Sequence, residues 1–355
     1  MLDNLRDLRL IENLCSGRGV AVNISQLSKS LNRHRNTIKD RVEKLLKYKI
    51  INRPVYSYLY LAQEFPLIAI VRADLPRDKK TEEFILYDEH IFAAFFVREG
   101  EYNTLLVEFH KGIDSFTKWR ENLIREGTIL PKGVRYPSDT LFFSTKLVIK
   151  NEPYAPTHFL EEELKREGLE MNGYAFDDLS FQILKKLMSG EGIRTNEQLL
   201  AGAVGMQRKT VERHISNLLD KKIVGKPVCN FPRFFAPPNY VITLSLCEVK
   251  RNEDRLIKAM TADSHIPIII KTSVGRYNLL TIGAFSKIEE YIKWEEEQDQ
   301  RFPDSIGATK TTYLSPEMTF SIDPQYVSLC SIKKKIEELH GKELIKGIYE
   351  KESCS

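Results

Sequence analysis

No run of about 18 apolar residues occurs anywhere in the sequence, so no transmembrane helix is expected. The opening stretch MLDNLRDLRLIENL is polar and amphipathic, without the apolar core and cleavage site of a secretory signal. Cysteine is scarce: Cys15, Cys229, Cys247, Cys330 and Cys354 are odd in number, scattered, and never paired as C-x-x-C. That excludes a disulfide framework and a Cys-based zinc site, and points to a reducing, cytoplasmic setting with incidental or buried thiols. The histidines show no H-x-x-x-H or H-E-x-x-H spacing, so no metal site is expected, and His90, His110, His158, His214, His265 and His340 read as ordinary core or surface residues. No low-complexity tract is present, and at 355 residues the chain has room for two to four small domains.

What the sequence does contain is a repeat. RNTIKDRVEKLLKYKIINRP (Arg35 to Pro54) returns as RKTVERHISNLLDKKIVGKP (Arg208 to Pro227). The likeness continues in REGEYNTLLVEFHKGIDSFTKW (Arg98 to Trp119) and SVGRYNLLTIGAFSKIEEYIKW (Ser273 to Trp294), which match Gly100, Tyr102, Asn103, Ile113, Lys118 and Trp119 to Gly275, Tyr277, Asn278, Ile288, Lys293 and Trp294. The two tryptophans of the chain are thus one matched pair. The period of about 175 residues is that of a duplicated protein, not of a solenoid. Charge follows the repeat: residues 1–60 carry about +7 and residues 174–235 about +4, leaving about −7 for the remainder of a chain whose net charge is +4.

Periodicity gives the elements. Leu5, Leu8, Ile11 and Leu14 line one face of a first helix that SGRG ends. NISQLSKSLN reads as a short second helix, capped by Asn23 or Ser25, with Leu27 and Leu31 inward. The third helix places Ile38, Val42, Leu45 and Leu46 on its apolar stripe and Arg35, Lys39, Arg41, Lys44 and Lys47 on its polar face. The β-branched and aromatic stretch IINRPVYSYLYL follows as a wing. Helix, helix, turn, helix, wing is a winged helix-turn-helix, and FDDLSFQILKKLMSGEG, TNEQLLAGAVG and MQRKTVERHISNLLDKKIVGKPV repeat it. After each head the strand and helix patterns run βαββαβ, the ferredoxin-like plan. Strands such as FAAFFV and IPIII are apolar throughout, which suits sheets covered on both faces. The expected fold is α+β, with two winged helix-turn-helix domains and two ferredoxin-like βαββαβ domains in tandem. The expected boundaries are 1–62 for the first head, 63–150 for the first ferredoxin-like domain, 151–173 for a linker, 174–236 and 237–326 for the second copies, and 327–355 for a helical tail. In that tail Ile332, Ile336, Leu339 and Leu344 share one side.

On the helices TIKDRVEKLLKYKII and TVERHISNLLDKKIV and the G-x-Y-N-x-L hairpins, the chain resembles the leucine-responsive/asparagine-type (Lrp/AsnC) transcription regulators over nearly its whole length, twice. Members of that family dimerise through the βαββαβ domain, so the resemblance implies a dimer fused into one chain, an internal pseudo-dimer open to further homo-oligomerisation. It also implies double-stranded DNA as partner, no cofactor and no enzymatic activity. The expected DNA-binding residues in the first head are Arg33, His34, Arg35, Asn36, Thr37, Lys39 and wing residue Arg53; in the second they are Gln207, Arg208, Lys209, Thr210 and Arg213. Thr37 and Thr210 are equally suited to capping. Arg33, Arg35 and Asn36 suit direct base readout and the second set suits phosphate holding, so the expected site is non-palindromic, with the first head setting most of its specificity. Gly100 and Gly275 fit hairpin turns. With Asn103 and Asn278 they are also the set for a small-molecule effector, although many family members carry Asp where these asparagines stand. Two alternatives share the plan: a DNA-organising protein without regulatory function, and a siroheme-decarboxylase-like enzyme, whose hairpin resembles REGEYN and whose histidines near that hairpin act as acid and base. FAAFFVREGEYN contains no histidine, and none follows His265 in IPIIIKTSVGRYN.

Overall fold

The computed structural model describes residues 4–97, 102–126, 133, 138–151, 156–232, 240–272, 275–314 and 319–352. In the first head, α1 (Leu5–Cys15), β1 (Val20–Val22), α2 (Ile24–Ser30) and α3 (Arg35–Lys47) follow the expected order. Asn4, Asn23 and His34 cap the three helices by accepting backbone N–H groups with their side chains, so the cap of α3 is His34 and not Thr37. After α4 (Leu61–Glu64) the first ferredoxin-like unit runs β2 (Leu67–Ala73), α5 (Lys79–Tyr87), β3 (Ile91–Phe96), β4 (Thr104–His110), α6 (Ile113–Glu126) and β5 (Ser138–Ser144). A 3-10 turn, Thr145–Leu147, then leads into β6 (Val148–Asn151) and α7 (Pro156–Arg166). The second head follows the short strands β7 (Glu170–Met171) and β8 (Tyr174–Ala175) with α8 (Asp178–Met188), β9 (Ile193–Thr195), α9 (Glu197–Val204) and α10 (Arg208–Asp220). Its ferredoxin-like unit has β10 (Val241–Val249), α11 (Glu253–Ala262), β11 (Ile268–Lys271), β12 (Leu279–Phe285), α12 (Ile288–Arg301) and β13 (Ile306–Leu314), and β14 (Thr319–Ile322) and α13 (Pro324–Glu352) close the chain.

Each unit orders its own strands as the plan requires, β5-β2-β4-β3 and β13-β10-β12-β11, and each sheet then gains a fifth strand from the other half. The stretches read from sequence as single closing strands are broken. β6 leaves the first unit and pairs antiparallel with β11, while β14 leaves the second and pairs antiparallel with β3. The physical reason is the open edge: β3 and β11 are the outer strands of their four-stranded orders, and an uncovered edge presents unpaired N–H and C=O groups. Lys150, carried on β6 and largely buried, donates from Nζ to the carbonyls of Thr261 and Asp263 at 2.9 Å each, closing the C-terminal end of α11 in the other unit. The inner faces of the two sheets meet over one apolar core that includes Ile68, Phe95, Val107 and Phe143 from the first and Ile242, Leu246, Ile270 and Leu280 from the second. The helices cover the outer faces over separate clusters.

The heads are exchanged as well. Leu10, Ile11 and Leu14 of α1 are fully buried, but their cluster contains Leu200 and Val204 of α9 and Val211, Ile215 and Leu218 of α10. Reciprocally, Phe181, Leu184 and Leu187 of α8 pack with Leu27 of α2 and Ile38, Val42 and Leu45 of α3. β1 pairs with β9. The two wing segments pair with each other, with Val55 and Val228 exchanging N–H···O bonds at 3.0 Å and Leu59 N donating to Ile223 O at 2.9 Å. α13 packs on α1, burying Val327 and Ile332 in the same cluster, as the apolar side of the tail requires.

The β1–β9 crossing admits no side chain at two positions. Gly192 has φ +79°, and a Cβ there would lie 2.3 Å from a methyl of Leu27; Gly19 has φ +74°, and a Cβ there would lie 2.7 Å from Leu200. Gly192→Ala therefore incurs both left-handed strain and overpacking, for an expected loss of roughly 2–4 kcal/mol in chemical denaturation. An unchanged midpoint would mean that Leu27 does not hold this position.

Candidate functional site

The DNA-facing residues expected from sequence are at the surface. Arg33, His34, Arg35, Asn36, Thr37, Lys39 and Arg53 are exposed, as are Gln207, Arg208, Lys209 and Arg213; Thr210 is partly buried. The charges are lightly engaged: Lys39 lies 3.7 Å from Glu43, and Arg208 lies 4.0 Å from Glu197. Between the heads, Arg41 is paired with Asp177 at the N-terminus of α8, and His214 Nδ1 lies 2.8 Å from Asp7 of α1.

Of the expected effector set, Gly100 lies outside the described residues. Gly275 takes φ +91° with open space where a Cβ would be. Both asparagines are engaged by backbone. Asn103 Oδ1 accepts from Leu75 N at 3.0 Å and its Nδ2 donates to Leu75 O at 2.8 Å; Asn278 makes the same pair with Val249, at 2.7 and 3.0 Å. These amides pin the start of β4 and β12 to the chain leaving β2 and β10.

The structure assembles a different group, which sequence spacing did not suggest. Strand alternation places Glu108 and His110 on the helix-facing side of β4, both fully buried, with Glu108 Oε2 and His110 Nε2 at 2.9 Å. The His90 ring, entering β3 next door, stacks on His110 at 4.5 Å between centroids, and its Nδ1–H donates to the Phe109 carbonyl at 2.9 Å. Trp119 of α6 meets both imidazoles edge-on and donates its indole N–H to Asp88 at 2.9 Å. His90 and Trp119 also line an open cleft of about 750 Å³ rimmed by Lys111, Lys118, Ser115, Glu89 and Asp114. This is the end of β3 and β4 opposite the hairpin.

Burial sets the protonation of the pair. Removal from water, with Asp88 nearby, pushes the Glu108 carboxyl well above its usual range against the pull of Arg120. Burial, with His90 alongside, lowers His110 to about 3. Burial thus favours the neutral form of both groups. Glu108 Oε1 and His110 Nδ1 have no hydrogen-bond partner among the described residues.

The second copy repeats half of this arrangement. Asp263, His265 and Trp294 stand where Asp88, His90 and Trp119 do, with Trp294 donating to Asp263 at 2.7 Å and His265 Nδ1 donating to Asp263 at 2.8 Å. The hydrogen bond to Asp263 raises His265. Glu108 and His110 are replaced by Gly283 and Phe285, and His265 stacks on Phe285 at 5.2 Å. The signal available in the sequence was the repeat itself, which aligns His90 with His265 at the same offset as the tryptophans.

No protein-family model matches the chain, and no curated protein matches it in sequence. Among solved structures, siroheme decarboxylase NirDL in complex with an iron-uroporphyrin III analogue superposes with a TM-score of 0.51 at 14% identity, over 97% of this chain and 98% of that one. The fold is shared, end to end, with a siroheme decarboxylase. A second structure of NirDL gives a TM-score of 0.48 at 13% identity over 95% of this chain and 100% of that one. Escherichia coli AsnC gives 0.27 at 17% identity over 39% of this chain and 90% of that one. The likeness to NirDL bears out the tandem fold. It overturns the expectation that the chain is not an enzyme, because the superposition that spans the whole chain is on an enzyme. No helix among the described residues is long and apolar enough to cross a membrane.

The two buried groups act on stability in opposite directions. A lowered histidine costs stability as pH falls below its unfolded value near 6.5, and a raised carboxyl costs stability as pH rises above its unfolded value near 4.5. His110→Phe, the residue of the second copy, should flatten the loss of stability between pH 6.5 and 4. Glu108→Gln should gain on the parent as pH rises above about 5. Denaturation midpoints across pH check both signs, and parallel curves for variant and parent would show that neither group is held neutral.

Proposed function

We propose that the chain is an acid–base enzyme of the siroheme-decarboxylase type, with a carboxylated tetrapyrrole bound in the cleft beside His90. The observation that carries this reading is the buried Glu108–His110 pair stacked against a histidine of the cleft wall. A core does not gain stability from a carboxyl with an unpartnered oxygen, and the second copy builds the same unit with Gly283 and Phe285 instead. Lys111 and Lys118 supply cations for side-chain carboxylates, and the Trp119 face supplies an apolar wall. In a decarboxylation the C–CO2 bond breaks, the electron pair passes into the conjugated ring, CO2 leaves, and a proton takes its place on carbon. Burial favours the protonated form of Glu108, and His90, stacked on its partner His110, lines the cleft where a proton is delivered to carbon. The buried thiols suit a reducing, cytoplasmic setting. Incubation of the purified protein with siroheme under reducing conditions should give a shifted absorption band and a product lighter by CO2. His90→Ala should slow turnover by about 10²–10⁴-fold while the band shift persists. Absence of any spectral change on mixing would overturn the reading.

A second reading rests on the exposure of both recognition helices. Arg33, Arg35, Asn36 and Lys39 on one head, and Gln207, Arg208, Lys209 and Arg213 on the other, are open to duplex DNA. Arg35→Ala with Lys39→Ala should weaken binding and reduce the salt slope by about one for each phosphate no longer neutralised. An unchanged slope would remove these helices from the interface. Exchange of Arg33–Asn36 for Met206–Lys209 should alter the selected site more than the reverse exchange does, if the first head is the main reader.

A further inference from the structure

The outer, helix-covered face of the second ferredoxin-like unit is hollow. A cavity of about 270 Å³ lies between its sheet and α12. Strand registers fix the correspondence: Val71 faces Leu106 across β2–β4, and Ser245 faces Thr281 across β10–β12. On the helices, Phe116, Arg120, Leu123 and Ile124 of α6 become Tyr291, Glu295, Gln298 and Asp299 of α12. The buried Val71, Leu106 and Phe116 have thus become the hydroxyls of Ser245, Thr281 and Tyr291, the partly buried Leu123 and Ile124 an amide and an exposed carboxylate, and Arg120 an anion. Such exchanges lose apolar burial and leave a void, both of which cost stability. Gln298 is more than nine-tenths buried, lines the cavity, and its Oε1 has no hydrogen-bond partner among the described residues. Tyr291 bonds to Glu295 and, at 2.9 Å, to Thr311 Oγ1, so the polar wall is preorganised.

We propose that this cavity is a binding site for a small organic cation, an alkylammonium whose N–H groups meet Gln298 Oε1 and the Asp299 carboxylate and whose carbon chain lies on Met260 and Trp294. Among the described residues the lining contains Glu295 and Asp299 but no lysine or arginine, which selects against anions. The volume admits a molecule of a few carbons and excludes a tetrapyrrole. The site stands apart from the cleft of the first unit and does not depend on the reading given to it.

The test uses the full chain carrying Trp119→Phe, so that Trp294 is the single indole reporter. Added 1,4-diaminobutane should raise the thermal midpoint by roughly 2–4 °C at saturation and change the Trp294 emission, while sodium butyrate does neither. Ser245→Val with Thr281→Leu restores the apolar residues of the first copy; it should raise the midpoint without ligand and abolish the response to the amine. Gln298→Leu should abolish the response while leaving the fold intact. No response to the amine, an equal response to butyrate, or a response surviving in the filled variant would overturn the proposal.

Discussion

Everything in this chain hangs on the exchange of β6 and β14. Each ferredoxin-like sheet would end on an open edge, β3 or β11, and each edge is closed by a strand belonging to the other half. The exchange brings the inner sheet faces together, so that residues such as Phe95 and Phe143 are buried against Leu246 and Leu280 instead of facing water. The heads are exchanged across the same two halves. α1 then packs with α9 and α10, and α8 with α2 and α3, so neither head has a core of its own. A fused pair built this way cannot separate its halves without opening strand pairings, wing pairings and two helix clusters together.

That interlocking leaves the outer faces of the two sheets free to diverge. One copy keeps a buried carboxyl and two stacked imidazoles beside a cleft lined by Lys111 and Lys118 as well as Glu89 and Asp114. The other replaces the first acid–base pair with Gly283 and Phe285, retains the Asp263–His265–Trp294 arrangement, and hollows the core next to it. Duplication supplies an internal comparison: Asn103 and Asn278, kept in both copies, make the same pair of backbone hydrogen bonds, whereas Glu108 and His110 occur in the first copy alone.

Much of the fold was legible because it is written in short-range pattern. The cap Asn23, the stripe of Ile38, Val42 and Leu45, and the continuous apolar strands all depend on neighbours within a few residues. The partner of each stripe was not legible. Leu8, Ile11 and Leu14 face inward as their spacing requires, but nothing local tells α1 to pack on the other head, because hydrophobic burial is non-directional. The break between β5 and β6 at Thr145–Leu147 was hidden for the same reason, since both segments favour strand and only the distant edge of β11 separates them. Glu108 and His110 escaped notice because alternate positions in a strand share a face, and His90 joins them only through sheet pairing. The exposed basic faces of α3 and α10 were legible directly, since surface charge needs no long-range packing to reveal it.

The most direct test of the interlocked architecture is to sever the chain between Pro153 and Tyr154 and express the halves as separate polypeptides. The account predicts that they elute together as a one-to-one complex, persist together in high salt, and unfold in one transition. Two halves that each elute as folded monomers when mixed would contradict it.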